Sequence, residues 1–86
     1  MIFKKRDIEL GEKARSVVEN EAFKNALMYT RDVYTQAFIN TAEDESAKRE
    51  KAYMAIRMLD EVEANLISVM DKGKLAKQHL DKLNRR

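Results

Sequence analysis

Apolar residues recur every three or four positions through two long stretches of the chain, residues 21–42 and 46–71. This spacing predicts α-helices, because neither stretch shows the strict alternation of a half-buried strand. At 1.5 Å per residue, the two helices are about 33 Å and 39 Å long. The apolar positions are Phe23, Ala26, Leu27, Val33, Tyr34, Ala37 and Phe38 in the first stretch and Ala52, Ala55, Ile56, Leu59, Val62, Leu66, Val69 and Met70 in the second.

Three polar segments interrupt this pattern. The side-chain oxygen of Asn20 suits an N-cap, which predicts that a helix begins directly after it. The acidic segment 40–46 separates the two stretches, and either Asp44 or Ser46 is expected to start the second helix. Gly73 lies between two lysines and fits a residue in the left-handed conformation that ends this helix.

The sequence predicts a single all-α domain over residues 1–86. Because a short connection between long helices makes them neighbours, 21–42 and 46–71 are expected to form an antiparallel hairpin. Residues 1–6 are expected to form a basic N-terminal arm, residues 7–18 a short flanking helix, and residues 74–86 a basic C-terminal helix or tail. The predicted core of the hairpin consists of Phe23, Leu27, Tyr34, Phe38, Ile56, Leu59, Leu66 and Met70.

The hairpin carries more apolar residues than a single helix–helix contact needs. Two helices alone bury one face each, so the surplus must contact the flanking helices, another chain or solvent. Because large exposed apolar patches mark interaction sites, we expect the chain to form a homo-oligomer, although the flanking helices are an alternative cover. The expected interface residues are Tyr29, Ile39, Tyr53, Met54, Met58 and Ile67.

Composition excludes several classes of site. The 86 residues include no cysteine and a single histidine, so a disulfide framework, a zinc finger and a thiol nucleophile are excluded. The three serines do not lie in a Gly-x-Ser-x-Gly turn, and Asp81, two residues from His79, is on the wrong side of a helix to orient its imidazole. With two distant glycines there is no phosphate-binding loop. We therefore expect no catalytic residues, no metal ligands, no cofactor and no enzymatic activity.

The small net charge of +2 conceals an uneven distribution. Residues 1–6 carry +3, residues 7–71 carry −6, and residues 72–86 carry +5. Basic ends favour contact with an anion such as nucleic acid, although such residues also keep helix ends soluble. Contacts with phosphate are independent of sequence and sensitive to salt. The candidate nucleic-acid-binding residues are Lys4, Lys5, Arg6, Lys72, Lys74, Lys77, Lys82, Arg85 and Arg86.

No apolar run approaches the ~20 residues that a membrane-spanning helix needs. The 74–86 segment is basic and amphipathic but has no aromatic residue, so it is a poor interfacial anchor. We therefore expect no membrane contact.

Two short motifs frame the helical stretches: Asn20-Glu21-Ala22-Phe23 at the start and Gly73-Lys74-Leu75-Ala76 at the end. In these motifs, in size and in helical layout, the chain resembles short helical proteins of tailed bacteriophages and is similar to small terminase subunits. The resemblance implies a homo-oligomer built on a helical hairpin, with double-stranded DNA and a large packaging subunit as partners. It also implies a location in the cytoplasm of an infected bacterium or in the virion.

These observations lead to one main hypothesis, a non-enzymatic, self-associating phage protein that acts as a DNA-packaging component like a small terminase subunit. No separate helix-turn-helix domain is visible in the pattern, so reading of a DNA sequence is not expected. Two alternatives stay open. One is a virion structural or accessory protein that does not contact DNA, and the other is a small helical regulator of a host protein.

Overall fold

A computed structural model describes residues 5–85, and this part of the chain is all-helical with no strand. Its three helices are α1 (Lys5–Glu19), α2 (Glu21–Ile39) and α3 (Ser46–Asn84). α3 packs against both α1 and α2, whereas α1 and α2 barely contact each other. The molecule measures 65 × 27 × 15 Å, so it is long and thin. The predicted all-α fold is confirmed.

Asn20 separates α1 from α2 as a single extended residue. Its side-chain Oδ1 accepts a hydrogen bond from the backbone N–H of Phe23 at 2.9 Å, which satisfies one of the unpaired donors of the first turn. Its own N–H donates to the carbonyl of Val17 at the end of α1. The predicted N-cap is therefore confirmed.

The connection between α2 and α3 is held by Arg49 and Glu45. The Arg49 guanidinium donates to the hydroxyl of Thr41 at 3.1 Å and to the carbonyl of Ala42 at 3.0 Å. The Glu45 carboxylate accepts from the N–H of Ala42 and pairs with Lys48 at 2.7 Å. Both hydrogen bonds lower the pKa of Glu45, and the hydrogen bond from Lys48 has the larger effect.

The observed helix ends differ from the predicted ones at the acidic connection. α2 stops at Ile39 rather than at residue 42, since the hydroxyl of Thr41 bonds back to the carbonyl of Phe38. α3 starts at Ser46, which is one of the two expected positions, and Glu45 precedes it as the cap residue.

The prediction that Gly73 ends a helix is wrong. α3 is 39 residues long and continues through Gly73, so 74–86 is not a separate helix. No glycine in the described part has a positive φ. Gly73 instead faces Gly11 of α1. A Cβ built on Gly11 would lie 2.8 Å from the Cα of Gly73, a distance that real Cβ atoms do not reach. Glycine is needed here for the close approach of two backbones.

Only small side chains are buried along the helix contacts. Among the described residues, the buried hydrophobic ones are Ala14, Ala52 and Ala76, and no large side chain is fully buried. Six of the eight predicted core residues are half-buried, but Tyr34 and Phe38 stay 39% and 37% exposed. The prediction that they belong to the core is wrong, because a single opposing helix leaves the outer side of a large aromatic side chain uncovered.

We predict that Gly73→Ala destabilises the protein, although alanine normally stabilises a helix interior by about 1 kcal/mol relative to glycine. The new methyl group would meet the backbone of α1, with the Asp7 carbonyl oxygen at 2.9 Å. Overpacking of this kind costs about 1–3 kcal/mol, measured as a lower free energy of unfolding in urea. Ser68→Ala, at an exposed position of the same helix, is the control and should be neutral. An increased stability of Gly73→Ala would contradict the close contact.

Candidate nucleic-acid interface

The described basic residues of the two chain ends are all exposed and lie at one end of the molecule. Lys5 and Arg6 open α1, and the others lie on the last third of α3 or directly after it. Lys4 and Arg86 lie outside the described residues. The remaining candidates are Lys72, Lys74, Lys77 and Lys82 of α3 and Arg85, which caps its C-terminal end.

The packing of α1 on α3 brings these two basic segments together. Gly11 meets Gly73, and the Asp7 carboxylate pairs with the Lys72 ammonium at 3.7 Å. Asp7 directly follows Lys5 and Arg6, so both lie beside the C-terminal part of α3. Two segments that are far apart in the sequence therefore form one basic end.

A small pocket of about 90 Å³ lies in this end, between α1 and α3. Lys74 and Lys77 line it from α3, and Arg15 and Glu12 line it from α1. Arg15 also lies 3.8 Å from Glu19 one turn on. Arg15 is not among the residues predicted from the sequence, although its position four residues after Gly11 places it beside the same contact once the role of Gly11 is known.

The positive charge of this end comes mainly from α3. α1 contains four basic and four acidic residues, whereas residues 72–85 carry a net charge of +4. Because the lysines are exposed on flexible side chains, they present point charges and no fixed donor geometry. Point charges on flexible side chains suit contact with phosphate, which does not depend on the base sequence.

The six residues expected at an oligomer interface lie on different sides of the molecule. All are exposed in the single chain, from 39% for Ile67 to 71% for Tyr29. Arg31 marks one side, where its guanidinium reaches from α2 to Asp60 at 2.8 Å and to Glu63 at 3.4 Å on α3. Its Nε is buried without a hydrogen-bond partner. The predicted interface residues therefore do not form one surface: some lie on the side of the Arg31 ion pairs and others lie on the opposite side.

The described residues contain no helix long and apolar enough to cross a membrane. Over the same residues, no three His, Cys, Asp or Glu side chains come together as ligands for a metal ion. A search of protein-family models, curated proteins and solved structures found no match to this chain. The similarity to small terminase subunits therefore stays a prediction from the sequence.

We predict that Lys72→Glu lowers the free energy of unfolding, because it places a second carboxylate beside Asp7, whose side chain is only 17% exposed. Loss of a partly exposed pair costs up to about 1 kcal/mol, and the like-charge contact adds to this. Lys74→Glu is the matched control two residues on, and it should leave the urea midpoint unchanged. Equal effects of the two substitutions would contradict a structural role for Lys72.

Proposed function

We propose that this chain is a non-enzymatic, self-associating helical protein that presents a basic end to the DNA backbone, in the manner of a small terminase subunit of a tailed bacteriophage. Each subunit of the proposed assembly is an antiparallel hairpin, in which α3 is one arm and α1 with α2 form the other. The contacts of Arg31 with Asp60 and of Thr41 with Arg49 support opposite directions for α2 and α3.

One observation carries the self-association. The chain exposes 7182 Å², whereas a folded monomer of 10.0 kDa exposes about 5,200 Å². Its radius of gyration is 18.4 Å, against about 12 Å for a compact domain of this length. The excess of about 2,000 Å² per chain matches what each subunit buries in an obligate oligomer.

The basic end supports contact with DNA in such an assembly. Each copy offers a handful of exposed lysines and arginines, and each phosphate contact by itself is weak. Assembly raises the effective concentration of the other basic ends once one has bound, so affinity grows with the number of copies. Self-association and DNA binding are therefore linked in this proposal.

We expect light scattering coupled to size exclusion to give an oligomeric mass at micromolar concentration. Since association supplies the missing buried surface, the thermal midpoint should also rise with protein concentration. A ring of about eight or more copies favours the packaging role. A single-chain mass with a midpoint independent of concentration would overturn the proposal.

DNA binding is tested with Lys74→Glu combined with Lys77→Glu, because neither residue is in an ion pair among the described residues. We expect wild-type binding to a duplex of arbitrary sequence to weaken steeply with salt, and the variant to lose at least about tenfold in affinity with a smaller salt slope. Lys48→Glu is not a suitable control, because Lys48 pairs with Glu45.

The matched control is Lys24→Glu combined with Lys51→Glu, which removes the same charge from helix positions outside the basic end. This control should retain wild-type affinity. If both double variants bind alike, the basic end does not contact phosphate. If the wild-type chain does not bind the duplex at all, the virion structural or accessory role without DNA contact replaces the packaging role, and the self-association is unaffected.

A further inference from the structure

α2 and α3 each carry a second apolar stripe that does not face the other helix. The apolar residues of this stripe are three or four positions apart on α2, and they have the same spacing on α3 except for one gap between residues 62 and 69. The large members are 39% to 71% exposed. We define the charge-free face by these residues, Ala26, Tyr29, Val33 and Ala37 of α2 with Ala55, Met58, Val62 and Val69 of α3.

The Arg31–Asp60 ion pair fixes the position of this face. Val33 follows Arg31 by two residues and Val62 follows Asp60 by two, so each lies about 200° round its helix from the ion pair. Both valines therefore lie on the side of the molecule opposite the ion pair. The stripes of the two helices form one surface on this side.

The two sides of the molecule differ in charge. Between Lys51 and Lys72, the α3 positions on the charge-free face are all uncharged, and so are those of α2. The opposite side also has exposed apolar residues, including Met28 and Ile67, but these lie among the charges of the Arg31 network. Within residues 5–85, the charge-free face is therefore the side of α2 and α3 whose burial desolvates none of the Arg31 network.

We propose that the charge-free face is where a second copy of this chain docks, face to face, so that two helical hairpins form a four-helix arrangement. Near the axis of a two-fold contact, residues meet their own counterparts, so a charged residue there would face a like charge. The charge-free face avoids this cost. Such a contact would cover part of the excess surface of about 2,000 Å² per chain, and the remainder is available to further contacts in a larger assembly.

This inference rests on the proposed self-association and adds which surface is used. Two methionines provide an internal test in the unmodified protein. Met28 lies on the Arg31 side and is 67% exposed, and Met58 lies on the charge-free face and is 60% exposed. In a single chain the two thioethers would be oxidised by hydrogen peroxide at similar rates.

The experiment measures the rate of sulfoxide formation at each methionine by peptide mass spectrometry, at a protein concentration where light scattering shows the oligomer. We expect Met58 to react at least about fivefold more slowly than Met28, and the two rates to converge on dilution. Equal rates in the oligomer overturn the inference. Slower reaction of Met28, or protection of both residues, overturns it as well, because a surface other than the charge-free face is then buried.

Substitutions give a second, independent measurement. Val62→Glu places a carboxylate on the charge-free face, and Ile67→Glu places one on the opposite side at similar exposure, 47% against 39%. We expect Val62→Glu to shift the mass toward a single chain and Ile67→Glu to keep the oligomer. The reverse result overturns the inference, and the methionine rates decide the matter if Val62→Glu does not fold. A wild-type single-chain mass would overturn the self-association itself, whereas these outcomes concern only the face.

Discussion

The contact between Gly11 and Gly73 is the constraint on which the arrangement of the helices depends. Two backbones approach until a Cβ on either glycine would overlap the other chain segment, and Ala14 and Ala76 fill the space nearby. A glycine in a helix interior costs about 1 kcal/mol, and here it occurs on both helices of one contact. The close approach offsets this by letting α1 lie against a continuous α3, and it carries Lys5 and Arg6 to the basic end of α3.

The same geometry explains why the chain lacks an ordinary interior. A pair of helices has one contact line, and residues on this line are covered from one direction only. Small residues such as Ala52 are buried there, but a side chain as large as Phe38 extends beyond the cover of the opposing helix. A third layer is needed to bury large side chains, and the described part of this chain does not provide one. The excess surface is therefore a consequence of the helix lengths, and it is the physical reason to expect association.

Local chemistry made part of this fold predictable. Asn20 as an N-cap depends only on a side chain and a backbone N–H three residues on, so it was found from the sequence alone. The role of Gly73 is not predictable locally, because glycine serves both as a helix end and as a site of close packing, and the choice depends on Gly11, which is 62 residues away. Helical spacing predicts Tyr34 and Phe38 as core residues because it gives the direction of a side chain but not how much of it the neighbouring helix covers. The grouping of Arg15 with Lys74 and Lys77 depends on the same distant contact.

The distribution of charge over the molecule is related to the way in which copies of it would assemble. The ion pairs of Arg31 with Asp60 and Glu63 hold α2 to α3 from one side, and this leaves the other side free of charge. Docking of two copies through that side would desolvate no ion and would leave the lysines of α3 exposed. In this proposal a single basic end, with a net charge of +4 over residues 72–85, would bind phosphate only weakly, because each contact is screened at physiological salt. Several such ends held on one rigid assembly act together, so the uncharged face and the charged end contribute to the same proposed activity in different ways.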